Sequence, residues 1–304
     1  MPRSTVRERS SPEAAQSSVD GINGDGLAAL KANLRRVKGA DLTGTLALGP
    51  DEIPAGNFRE LVRYAQGVDD PDMARNCLYY CFQPLLDVML AGGVHISARA
   101  SALRAMEGVL GTSRAFLTSY YLGDPDMEAF IDGMARIEPD IRAIGKRVAY
   151  RTKQRNIDHN GIYPVNIQSF LISFTERIVN GDIGVPDFVV GCASGASEVA
   201  FALAGILGVD ARFIRKSKRR GDKRPLILKA HAPVIKEAAR GSSVVCVEDY
   251  VCTGRSIGSV MAAVSGFGPS YLVGASVKFY PERKLYARNV LRSSNLNLFE
   301  GKLT

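Results

Sequence analysis

The hydrophobic rhythm of this chain changes once, and that change limits what each half can fold into. From about Phe58 to Ala149, apolar residues recur at helical spacing: Leu78, Phe82, Leu85, Leu86 and Met89, then Leu103, Met106, Val109 and Leu110. That spacing buries one face of a helix. Beyond about residue 160 the pattern becomes a series of short apolar runs: Phe188 to Cys192, Ala200 to Leu207, Ala211 to Arg215, Ser243 to Val247, Ile257 to Val264 and Tyr271 to Phe279. Strand runs alternating with helices predict an α/β fold, a mostly parallel sheet flanked by helices. In such sheets ligands bind beyond the C-terminal ends of the strands.

A length of 304 residues suits two cores better than one. Residues 1–25 are rich in Ser, Gly, Pro and charge without apolar periodicity, and read as a disordered tail. Residues 26–155 read as an all-α domain of roughly four helices. Its start signals are Asp-Pro-Asp at Asp70 to Asp72 and again at Asp124 to Asp126, and Gly92-Gly93 closes one helix. The aromatic residues Tyr79, Tyr80, Phe116, Tyr120, Tyr121 and Phe130 fall at helical spacings and read as core or interface. A boundary falls where the basic stretch Lys146 to His159 meets Gly161 and Pro164, which leaves 156–304 as the α/β domain.

Composition narrows the class further. With 46% hydrophobic and 23% charged residues the chain reads as an ordinary globular protein. Its longest apolar run, Val199 to Val209, falls short of the ~20 residues a membrane span needs. The first twenty residues lack the apolar core of a secretory signal. Five cysteines without a CxxC pair, and three histidines, argue against a disulfide framework and a zinc site and point to a cytoplasmic location. Cys77 and Cys81 read as core thiols. The net charge of +8 is concentrated between Arg212 and Arg224, where eight basic residues face the single acid Asp222. Nucleic acid, a membrane surface and a phosphate-rich small ligand all remain open on charge alone.

One segment carries specific chemistry: Ser243-Val-Val-Cys-Val-Glu-Asp-Tyr-Val-Cys-Thr-Gly-Arg-Ser256. It reads as a buried strand, two acids, a short loop and a small-residue turn that opens a helix. A helix N-terminus presents unpaired N–H groups and partial positive charge, and Thr253, Gly254 and Ser256 add hydroxyl donors and close backbone approach. That suits a phosphate dianion. Two carboxylates at the strand end suit paired hydroxyls or a hydrated Mg²⁺. A phosphate and a diol a short distance apart describe a ribose 5-phosphate. A buried strand followed by an N-capped helix would account for the turn but gives no reason for adjacent acids.

The segment resembles the motif that binds 5-phosphoribosyl-1-pyrophosphate (PRPP) in type I phosphoribosyltransferases: apolar residues, two acids, a spacer and a Thr-Gly-x-Ser/Thr turn. The resemblance implies that Glu248 and Asp249 take the ribose hydroxyls and meet Mg²⁺ indirectly, through the PRPP-bound ion. It implies that Thr253, Gly254, Arg255 and Ser256 hold the 5-phosphate. Upstream, Val189-Val-Gly-Cys-Ala-Ser-Gly-Ala-Ser197 is similar to the family's pyrophosphate loop, which puts Ala193, Ser194, Gly195 and Ala196 on the diphosphate. Small residues there would also let a helix pack closely on a sheet. Arg215-Lys-Ser-Lys-Arg-Arg-Gly221 is similar to the Arg-Lys pair and mobile basic loop of orotate phosphoribosyltransferase-like members, implying catalytic cations at Arg215, Lys216, Lys218 and Arg219. A solvated loop is the plain alternative for that stretch.

Asn160 to Asn166 is similar to the hood of the same members, which points to acceptor contacts from His159 and Tyr163. His159 stands where those members carry a Lys, and reads equally as a surface residue at a boundary. The segment also resembles hypoxanthine-guanine phosphoribosyltransferase, except that Cys252 replaces its acid-base Asp; that disfavours a 6-oxopurine. The resemblance spans about 156 to 280 and implies an enzyme of nucleotide metabolism. Such an enzyme moves phosphoribosyl from PRPP to a nitrogenous base or related acceptor with Mg²⁺, releases pyrophosphate and works as a homodimer. The alternative is a PRPP- or nucleotide-sensing regulator that keeps the fold without turnover, for which nucleic acid would be the partner.

Overall fold

A computed structural model describes residues 24–42, 57–92, 94–144, 164–193, 195–216, 221–251, 254–279, 290–293 and 296–300. The helical part comprises α1 (Gly24–Gly39), α2 (Phe58–Ala65), α3 (Pro71–Leu90), α4 (Arg99–Tyr121) and α5 (Met127–Ile144). The cap signals act as expected: the Asp70 carboxylate accepts from the Met73 amide at 2.8 Å, and Asp126 accepts from Ala129 at 2.8 Å. α3 is closed two residues beyond its last turn by Gly92, whose φ of 68° suits glycine. α1 begins inside the segment expected to be a tail, at Gly24; its apolar positions Leu30, Leu34 and Val37 are spaced for a helix and all are buried. Residues 1–23 lie outside the described residues.

The second part begins with α6 (Pro164–Val179) and continues β1 (Phe188–Ala193), α7 (Ser197–Leu207), β2 (Asp210–Arg215), α8 (His231–Ala239), β3 (Ser243–Val251), α9 (Arg255–Ser265) and β4 (Tyr271–Phe279). These four strands pair in parallel in the order β2-β1-β3-β4. An antiparallel pair, β5 (Val290–Ser293) and β6 (Leu296–Glu300), extends the sheet beyond β4. The expected strand Ser243 to Val247 is longer than its apolar run. It continues through both acids to Val251 because β4 pairs with it that far, Val251 opposite Phe279, whereas its pairing with β1 stops at Val247 opposite Gly191.

The apolar run Val199 to Val209 is explained by two-sided burial of α7. One side lies on β1, β2 and β3, the other against α4, and Val199 through Ala204 are all buried. At the crossing, a Cβ on Gly205 would stand 1.6 Å from Thr118 Oγ1, so only glycine lets the two helices meet there. The two parts share one apolar core. Phe82 of α3 contacts Phe201 of α7 and Phe213 of β2, with ring centroids 5.6 and 4.5 Å apart. α1 is pinned as well: Asn33 donates to the Ile206 carbonyl at 2.9 Å, and Gln168 of α6 donates to the Val37 carbonyl at 2.8 Å. All six aromatic residues assigned to core or interface are buried, as are Cys77 and Cys81, and burial pushes the Cys77 thiol up to about 12. Among the described residues no helix is long and apolar enough to cross a membrane.

Candidate functional site

In a sheet ordered β2-β1-β3-β4, the chain leaves β1 toward one edge and later returns to the opposite side of it. The connections therefore diverge between the C-terminal ends of β1 and β3, opening a crevice there. The loop after β1 and the acids of β3 meet at that point. Gly195 lies so close to Asp249 that a Cβ on it would stand 2.1 Å from Oδ2 and 2.3 Å from Oδ1. A side chain at residue 195 is thus incompatible with the carboxylate where it stands. The loop is anchored from behind, Ala196 N–H donating to the Cys192 carbonyl at 3.3 Å as α7 begins. Beside it Ser197 Oγ is buried and has no hydrogen-bond partner among the described residues.

Glu248 sits one residue beyond the last β1–β3 pair. Burial, and then the neighbouring Asp249 charge, push its pKa well above the usual carboxylate range, while the Ile257 N–H at the start of α9 pulls it the other way. Asp249 Oδ1 accepts from the Tyr250 amide at 2.9 Å. α9 is entered through Gly254 at φ 72°, a left-handed conformation that places Arg255 and Ser256 in the helix's first turn, Arg255 exposed and Ser256 partly so. Glu248 and the first turn of α9 are thus neighbours. Thr253 and Cys252 lie outside the described residues, as does Ser194. Cys192 and Cys246 are fully buried in β1 and β3, and burial raises both thiols.

The basic segment is held at its base. Arg215 and Leu226 exchange backbone hydrogen bonds of 2.9 and 2.8 Å, closing the loop between them. The Arg215 guanidinium is buried, with Nη1 2.7 Å from Asp87 Oδ1 of α3 and Nη2 3.1 Å from Asp222 Oδ1. Lys216 donates through Nζ to the Asp222 carbonyl, and its amide lies 3.4 Å from the Ala193 carbonyl, which joins the basic segment to the loop after β1. Lys218 and Arg219 fall outside the described residues, as do His159 and Tyr163.

The roles of four residues went unread in the sequence. Asp87 and Asp222 fix Arg215, and Glu198, in the first turn of α7, is held by Arg75 and Tyr121 of the helical part. Lys278, opposite Tyr250 in the β3–β4 register, also stands near the C-terminal end of its strand, and burial lowers its pKa. The only advance signals were an Arg and an acid beside long apolar runs; partners so far apart in sequence leave no local trace. Among the described residues no group of three or more His, Cys, Asp or Glu side chains gathers to hold a metal.

A parallel, doubly wound sheet with an acid pair, a small-residue loop and a helix N-terminus at its switch point defines a binding fold for phosphorylated ligands. Residues 171–289 match the family model of the phosphoribosyl transferase domain, from within α6 to just before β5. The C-terminal part of the chain is therefore a type I phosphoribosyltransferase domain, preceded by an all-helical region. No curated protein matches the chain.

Proposed function

We propose that this protein transfers phosphoribosyl from PRPP to a nitrogen of a base or related acceptor, releasing pyrophosphate. The observation that carries the reading is the meeting of Asp249 with Gly195 at the β1–β3 switch point, with the α9 N-terminus beside Glu248. Glu248 and Asp249 take the ribose hydroxyls. Thr253, Gly254, Arg255 and Ser256 hold the 5-phosphate at the helix end, where N–H groups and the helix dipole favour a dianion. Ala193, Ser194, Gly195 and Ala196 offer backbone N–H groups to the diphosphate.

In the reaction the bond from C1 of the ribose to the diphosphate oxygen breaks and a bond from the acceptor nitrogen to C1 forms; an acceptor nitrogen that carries a proton gives it to the departing diphosphate or to water, and a pyridine nitrogen has none to lose. Negative charge grows on the departing diphosphate. Lys216, Lys218 and Arg219 supply cations toward it, a stabilisation greater in the transition state than in the ground state. Arg215 works from the base of that segment, fixed by Asp87 and Asp222. Two carboxylates beside substrate phosphates fit a hydrated Mg²⁺ that arrives with the diphosphate; Glu248 and Asp249 would help to hold it indirectly, and it would neutralise diphosphate charge. No covalent nucleophile is needed. His159 and Tyr163 belong to the acceptor side, and a homodimer is the expected assembly.

Turnover is tested by incubating the protein with Mg-PRPP and a panel of pyrimidines, purines and pyridine carboxylates, and measuring pyrophosphate. Pyrophosphate that depends on one acceptor class is the expected result. Tight PRPP binding with no pyrophosphate from any acceptor contradicts the enzyme and leaves a sensor.

A further inference from the structure

The first turn of α7 carries an acid, Glu198, immediately after the loop that runs from Ala193 to Ser197. On the reading above, that helix end faces a diphosphate, and like charge there opposes anion binding. Glu198 is instead engaged by the helical part. Its Oε1 accepts from Arg75 Nη1 at 3.0 Å and from the Tyr121 hydroxyl at 2.6 Å. Arg75, 2% exposed, also has Nε 3.5 Å from Asp72 Oδ1, and Tyr120 donates to that same Oδ1 at 2.6 Å beneath the guanidinium. Burial alone would lower the Arg75 pKa, but Glu198 and the two tyrosines raise it, so the cation is charged throughout.

Stability is a poor reason for such a network. Desolvating an arginine and its acids is costly, and well-packed apolar residues of similar volume are often at least as stable. What the network does supply is a fixed orientation for Glu198 in the first turn of α7, together with a positive charge that offsets it. Both bear on the peptide N–H groups of the loop after β1.

We propose that Arg75, Glu198 and Tyr121 form a positioning device through which the helical part sets the diphosphate-binding loop. Glu198 is the lever on the loop, while Arg75 and Tyr121 hold the lever. The proposal rests on the PRPP reading and adds to it that the helical region completes the donor site. Because the device engages the first turn of α7, which follows the loop after β1, and not the α9 turn, it acts on the diphosphate and leaves the ribose 5-phosphate contacts alone.

The test uses the full chain and calorimetric titration with two ligands, Mg-PRPP and ribose 5-phosphate. Two variants are compared with the parent: Tyr121→Phe, which removes one donor, and Arg75→Met/Glu198→Gln, which removes both charges together. Tyr121→Phe is expected to weaken Mg-PRPP binding about threefold and the paired variant about tenfold, with ribose 5-phosphate affinity unchanged in both. A purely structural role would lower both affinities alike. Absence of a selective loss in either variant overturns the positioning role, and if the paired variant does not fold, Tyr121→Phe alone decides. If the parent binds neither ligand, the PRPP reading fails and the proposal falls with it.

Discussion

At Gly195 there is no room for a methyl group beside the Asp249 carboxylate where it stands. The close approach of Asp249 leaves 2.1 Å for a Cβ, so Gly195→Ala must push the carboxylate or the loop aside. Gly195→Ala is expected to keep the parent's circular dichroism and melting cooperativity while losing at least about tenfold in Mg-PRPP affinity. Parent-like affinity would show that loop and acid do not act together. Glu248 carries a cost of a different kind. Its folded pKa is raised, so the fold is at its best with this acid below the ordinary carboxylate range and loses stability as pH rises through the raised value. Glu248→Gln removes that penalty. The variant should melt higher than the parent near neutral pH, with the gain vanishing below the ordinary carboxylate range, where the parent's acid is neutral in both states. A gain of the same size at both pH values would refute burial of the charge as its cause.

Among the elements, α7 links the two parts most directly. Its crossing with α4 depends on Gly205 facing Thr118. Gly205→Ala should destabilise by about 1–3 kcal/mol in chemical denaturation, and adding Thr118→Ala should restore at least half of that. A single-variant cost no larger than that of a surface substitution would argue against the tight crossing. The same helix shows what could be read from sequence. Its apolar run indicated burial, yet periodicity does not say that helices on one side and a sheet on the other both cover it. The Ser243 to Ser256 segment was legible in kind because an acid pair before a Thr-Gly turn joins diol chemistry to phosphate chemistry within one short stretch. The length of β3 was not, because pairing with β4 carried the strand past its apolar residues into Glu248, Asp249 and Tyr250. Helix α1 falls almost wholly within the all-α range but is not singled out by its sequence, because its apolar positions are few and its neighbours Ile206 and Gln168 lie far along the chain.

Across the molecule, the helical region is packed into the phosphoribosyltransferase domain at three levels. Phe82 enters the core beside Phe201 and Phe213, Asp87 fixes Arg215, and Arg75 fixes Glu198. Two of these contacts end on segments that flank the crevice between β1 and β3. The proposed donor site in one part of the chain would thus be joined to a frame supplied by the other, and on that proposal its centre is the acid pair on β3. Calorimetric titration of Mg-PRPP into the parent and into Glu248→Gln/Asp249→Asn measures that centre most directly. Saturable binding by the parent and loss of all detectable heat in the folded double variant is the predicted result; equal affinity in the two proteins would contradict it.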